Sequence, residues 1–210
     1  MAYLDKPLSV YLDDAASGQP TPGGGSVSAL AGALAAAMGS MVGAFTLQGE
    51  KYQAAHALVG DLRVRLETAR TQLTELLQTD VDEYAVVAAA YALPKGTPEE
   101  KAVRQTAIRA ASWRALQPPL QMVRALGDVA ACLPALAEKG NPNLISDVGV
   151  SAYLCRAACE GAALNVRVNL NFLKDDPRVA DIRPELAKSV AQTLASCAAA
   201  AAMVDTALGA

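Results

Sequence analysis

The sequence predicts an all-α fold: one domain over residues 1–210, built as a bundle of about six to eight helices with long alanine-rich central helices. Three observations carry that expectation. Alanine, the best helix former, makes up roughly a fifth of the 210 residues. The chain is 52% apolar but only 4% aromatic, so it can bury a sizeable core made of small side chains. Such side chains let helix axes approach to the short end of the usual range of about 8–10 Å. Finally, no segment has the period-two alternation of a half-buried strand.

Taken in order, a short helix is expected over about Leu8 to Ala16, followed by the loop SGQPTPGGG. A second helix runs from about Gly25 to Leu47, and a long amphipathic one from about Tyr52 to Ala92. The stretch LPKGTPEE ends that helix and starts the next, with Thr97 as N-cap, Pro98 at the first helical position and Glu100 placed for a capping box. This helix is expected to reach about Leu116, to break or kink at Pro118-Pro119, and to resume to about Glu138, with Pro134 as a second point of interruption. KGNPN is a stop, with Gly140 past the helix end. Further helices are expected over about Ser146 to Leu173 and, after the turn KDDP, over Pro177 to Leu208 with a kink before Pro184.

Composition narrows the function. The net charge is −3, with both signs scattered and no basic stripe, which argues against a nucleic-acid partner. MAYLDKPLSV has neither the basic nor the apolar region of a signal peptide. Val27 to Leu47 is uncharged and has the length of a membrane span. It is mostly Ala, Gly and Ser, and is read as a buried central helix, with no membrane partner. Cys132, Cys155, Cys159 and Cys197 lack a CxxC pair or a histidine cluster. They are read as free core thiols of a cytoplasmic protein, with no metal site and no disulfide. His56 is the only histidine, which removes Ser-His-Asp catalysis unless it takes part itself; it is assigned no role.

Two helix faces and one loop stand out. Leu58, Leu62, Leu66, Ala69, Leu73, Leu77, Tyr84, Val87 and Tyr91 recur at steps of three or four along one face, and the position that continues the row between Leu77 and Tyr84 is Asp80. A carboxylate in a core-facing row is costly unless paired or hydrogen-bonded, and burial raises its pKa toward useful values. Two readings are open: a catalytic group, or a structural aspartate bridging to a neighbouring helix. On the helix from 146, Asn165 and Asn169 project side by side. Their amides are satisfied either by helix backbone or by a polar ligand. Asp147 shares their face but lies about 27 Å from Asn165 along the axis. It is either an N-cap or a contributor to a neighbouring chain's site. Lastly, Gly23, Gly24 and Gly25 precede Ser26 at a helix start. The free amides there suit an anionic or carbonyl group, and the alternative is a tight turn that lets two helices pack closely.

The segments PTPGGGSVSALAGALAAAMGSMV, GEKY, DVDEYAVVAAAYALPKGTPEEKAVRQTAI, PPLQMV, GNPNLISDVGVSA and EGAALNVRVNL resemble, in family order, the cyclodeaminase domain of formiminotransferase-cyclodeaminase and its stand-alone bacterial relatives, which include methenyltetrahydrofolate cyclohydrolases. The resemblance implies an all-helical, homodimeric enzyme that takes a tetrahydrofolate derivative as substrate and needs no metal or cofactor. It puts first a cyclodeaminase, in which N10 of 5-formiminotetrahydrofolate attacks the formimino carbon, ammonia leaves and 5,10-methenyltetrahydrofolate forms. The alternative on the same scaffold is a cyclohydrolase giving 10-formyltetrahydrofolate. A third reading, from another class, is a non-catalytic helical folate-binding or oligomerisation module. The family's acidic residue falls on Asp80, which the resemblance makes the catalytic group. Asn165 and Asn169 are then expected to bond the pterin or the one-carbon group, and the Gly23–Ser26 amides, with Lys51, to hold a carbonyl or the glutamate carboxylate. On that reading Gly24→Ala weakens folate binding more than folding. The chain departs from the family pattern at Glu83, where a small residue is expected, and at GEK, where a longer basic run is reduced to Lys51.

Overall fold

A computed structural model describes residues 2–174 and 176–209. Among the described residues there are seven α-helices and no strand: α1 (Leu8–Ala16), α2 (Gly24–Gln48), α3 (His56–Tyr91), α4 (Pro98–Ala115), α5 (Gln117–Lys139), α6 (Ile145–Phe172) and α7 (Ile182–Leu208). α2 is the central rod, packed against α3, α6 and α5, while α7 closes the far side on α5 and α6, and α4 leans on α3.

Small residues make α2 central. Ala29, Ala35, Ala36 and Val42 are fully buried. Gly32 gives way to Leu126 and Leu73: a β-carbon there would lie 2.9 Å from the first and 3.2 Å from the second. Three stretches, Gly24–Gln48, Pro98–Lys139 and Pro177–Leu208, are long and apolar enough to cross a membrane by length and composition. Within the fold, α2 turns its small side chains onto α3 and α6.

Helix ends follow local chemistry. Thr97 and Glu100 form the expected capping box, the threonine accepting from the Glu100 amide at 3.2 Å and the glutamate accepting from the Thr97 amide at 3.1 Å. Pro118 and Pro119 begin α5 rather than kink a continuous helix, because first-turn amides have no intrahelical acceptor to lose. Pro134, expected as an interruption, lies inside an unbroken α5. Two starts come later than expected. Residues Glu50–Ala55 and Pro177–Val179 form 3₁₀ turns, so α3 begins at His56 and α7 at Ile182. A tertiary bond holds the first turn, Tyr52 donating to Asn141 Oδ1 at 2.8 Å, and a local cap the second, Asp176 accepting from the Arg178 amide at 3.1 Å.

The apolar row of α3 is buried from Leu62 through Leu77 and then leaves the core, since Tyr84 and Tyr91 are nearly half exposed. The row therefore runs out of the bundle interior into a cleft, with Asp80 at the boundary. All four cysteines are free and buried, and among the described residues no cluster of His, Cys, Asp or Glu could hold a metal ion.

Candidate active site

The cleft has a volume of about 590 Å³ and is built from four helix segments. The first turn of α2 contributes Gly23, Gly24 and Gly25; α3 contributes Asp80, Tyr84, Val87 and Tyr91. Ser112 and Ala115 come from α4, and Asn165, Val168, Asn169 and Phe172 from α6. Among the described residues Asp80 is the only charged side chain in this lining. A larger groove of about 880 Å³ lies along the outer face of α3 beside Arg63, Glu67 and Glu75, where Glu67 is already bonded to Arg70 and Ser40. Its carboxylate is held below the usual range by those partners, chiefly Arg70. Proton chemistry needs the opposite shift, and the smaller cleft has it.

Burial pushes the Asp80 carboxyl up to about 6, and the backbone amide of Ser26 opposes that rise. The carboxylate lies against the first turn of α2. A β-carbon built on Gly25 would lie 2.6 Å from Asp80 Cγ and Oδ2, and closer still to Oδ1. Gly25 is thus glycine because a carboxylate occupies the space of its side chain. At Gly24 a β-carbon would meet Asn165 Nδ2 at 3.5 Å, an ordinary contact, and at Gly23 only the Pro20 carbonyl at 3.9 Å. Of the three glycines, only Gly25 has no room for a side chain.

Asn165 and Asn169 are brought to the opposite wall. Asn165 Nδ2 donates to the Gly161 carbonyl at 2.9 Å, and Asn169 Nδ2 to the Ala115 carbonyl at 3.1 Å. Each amide is anchored through its nitrogen, which leaves its Oδ1 to accept from a ligand N–H or O–H. Tyr84, Tyr91 and Phe172 add aromatic surface, and Ser112 a hydroxyl-bearing side chain. The aromatics lie on the two faces singled out in the sequence. Ser112 had no sequence signal, because nothing in α4 tells which of its faces meets the cleft.

Ser26 brings only its amide to the site, and two further expected contributors stand elsewhere. Ser26 is fully buried, its Oγ bonded to Tyr11 and to the Leu77 carbonyl, so its hydroxyl faces the interior and only its amide meets Asp80. Lys51 is exposed on the 3₁₀ turn before α3, its ammonium over the Tyr52 ring at 4.9 Å. Asp147 lies in the first turn of α6, at the opposite end from Asn165, and outside the cleft lining. Glu83, the departure from the family pattern, pairs with Arg114 of α4 at 2.8 Å and ties α3 to the helix that walls the cleft.

The family model described as formiminotransferase-cyclodeaminase matches residues 7–188. The chain belongs to that family. Its relatives include a methenyltetrahydrofolate cyclohydrolase of Methylorubrum extorquens, 40% identical over 80% of this chain and 81% of that protein. The rat formimidoyltransferase-cyclodeaminase is 33% identical over 82% of this chain, which spans only 32% of the rat protein. Among solved structures, a formiminotetrahydrofolate cyclodeaminase from Thermotoga maritima superimposes with a TM-score of 0.78 at 28% identity, covering 98% of this chain and 97% of its own.

Proposed function

We propose that this protein is a folate one-carbon enzyme, a methenyltetrahydrofolate cyclohydrolase, with Asp80 as its proton carrier. The observation that carries the proposal is one half-buried carboxylate, raised to about 6, alone in a largely apolar cleft. The sequence resemblance put the deaminase first. Similarity to the M. extorquens cyclohydrolase across about four-fifths of both chains moves the hydrolase ahead.

In that reaction water adds to the methenyl carbon and the bond from that carbon to N5 breaks. Of the two water protons, one ends on N5 and the other is released, and the oxygen becomes the formyl oxygen. Asp80, ionised at neutral pH, takes the first proton as water attacks. Its conjugate acid is strong enough to return a proton to N5 as the ring opens. The cleft's aromatic walls suit the flat ring system, and Asn165 and Asn169 Oδ1 would accept from its N–H groups. This chemistry asks for water and a proton carrier, so no resident cofactor or metal is invoked.

Cyclodeamination is the second reading, favoured by the near-complete overlap with the T. maritima cyclodeaminase. The same carboxylate would take the N10 proton and pass one to the departing nitrogen. Absorbance of the methenyl chromophore separates the two: enzyme-accelerated loss marks the hydrolase, and appearance from 5-formiminotetrahydrofolate marks the deaminase. Neither change, with folate still bound, would leave only a binding module.

A homodimer also fits. Val27, Leu34 and Phe45 lie exposed along one face of α2, and Val150, Tyr153 and Leu164 along the adjoining α6. A second copy would cover this apolar surface. The four buried free thiols suit a cytoplasmic setting.

A further inference from the structure

α1 has one buried residue, Tyr11, and the place where that residue ends is informative. Its hydroxyl lies 2.9 Å from Ser26 Oγ, and Ser26 Oγ donates to the Leu77 carbonyl at 2.9 Å. Serine has a single hydroxyl proton. Since Ser26 gives it to Leu77, Tyr11 is the donor to Ser26. The chain of bonds runs from α1 through the first turn of α2 to α3, ending three residues before Asp80 on the same helix. Ser26 is wholly buried and Tyr11 nearly so, at 4% exposure, so water does not compete for these bonds. The Tyr3 ring packs edge-on against Tyr11 at 5.1 Å and closes the arrangement from outside.

We propose that Tyr11 and Ser26 are positioning residues for Asp80: their linked hydroxyls lock the first turn of α2 onto α3 and so fix the amide end that meets the carboxylate. This rests on the reading of Asp80 as the proton carrier. Gly25 makes the close approach possible, and the lock makes it permanent. An unlocked α2 terminus would draw back from Asp80, remove the one interaction that stabilises the ionised form, and leave burial to act alone.

The other groups around Asp80 do not supply a substitute. From α3 come Tyr84 and, tied to Arg114 of α4, Glu83; from α1 comes Tyr11; α2 presents only backbone, and α6 only the neutral Asn165 and Asn169. Among the described residues no Lys, Arg or His lines the cleft.

The test is a carboxyl ¹³C titration of the full chain, with the Asp80 signal identified by its loss in Asp80→Asn. It is run on Ser26→Ala, on Tyr11→Phe, and on Thr46→Val as control. Thr46 is a fully buried hydroxyl that also makes two hydrogen bonds, about 30 Å further along α2. In Ser26→Ala the Asp80 midpoint should rise by about half a pH unit or more. In Tyr11→Phe it should rise less, because Ser26 keeps its bond to Leu77, and in the control it should not move. The acid limb of kcat/KM should follow the midpoint. A midpoint that stays or falls in both variants, or rises equally in Thr46→Val, overturns the proposal. Each variant removes only a hydroxyl or its equivalent, and Tyr11→Phe suffices if Ser26→Ala does not fold. An unmodified protein that turns over no folate refutes the functional reading instead, while the carboxyl midpoints still decide the positioning role.

Discussion

The proposed mechanism needs Asp80 as an anion in a place that disfavours anions, and that conflict yields predictions at the residue scale. Its pKa rises from 3.8 unfolded to about 6 folded, so the native state holds this proton more tightly than the unfolded chain. The associated stability is fully present below about pH 4 and is lost as pH rises through 6. At about 1.4 kcal/mol per pKa unit, the ionised side chain costs the fold up to about 3 kcal/mol at neutral pH. Asp80→Asn should therefore lower turnover by about 100- to 10,000-fold while raising the melting temperature at pH 7, and the gain in stability should vanish near pH 4. Calorimetry and a methenyl assay on one preparation would check both halves; an active Asn variant would remove Asp80 from the mechanism. For the same reason kcat/KM of the unmodified enzyme should fall on the acid side of pH 6. Gly25→Ala should abolish activity in a folded protein, because its methyl displaces the carboxylate, whereas Gly23→Ala should stay active. Circular dichroism with the activity assay separates these outcomes.

At the scale of elements, the cleft depends on α4, which reaches the bundle mainly through α3. Its start is set by the Thr97–Glu100 capping box. Thr97→Ala should cost about 1 kcal/mol, read as a shift in the urea midpoint. At the other end, Trp113 is covered by the Arg178 guanidinium at 3.9 Å, and Arg178 is held by Asp176, which also meets Arg109 at 3.4 Å. The Arg178 bond keeps the Asp176 carboxyl well below the usual carboxylate range. Its contribution is present above pH 4 and is lost as acid protonates it. Trp113 is the only tryptophan, so Asp176→Asn should red-shift its emission at pH 7 and lower the melting temperature. Unchanged emission would show that this clamp does not order the α4 end.

For the whole molecule, the exposed α2 and α6 faces predict self-association. Light scattering should give about twice the 21.6 kDa chain mass, and Leu34→Glu with Phe45→Glu should halve it. A monomer at micromolar concentration would mean that this apolar face serves something else.

The helices and the two faces that line the cleft were legible in the order of residues alone. Periodicity of three and four is a local property, and alanine content, capping residues and the misplaced Asp80 are visible without a partner. The sequence also brought the family into view through motifs in order. Which of the singled-out residues share a cleft depended on how the helices pack together. Gly25, Asp80, Asn165 and Asn169 meet because α2, α3 and α6 converge at one end of the bundle, while Lys51 stands on the 3₁₀ turn before α3 and Asp147 at the far end of α6. Ser26 turned out to face inward, toward Tyr11, for a reason no spacing rule contains. The direction of a hydroxyl at a helix start is set by what packs behind it, and that partner comes from a different helix.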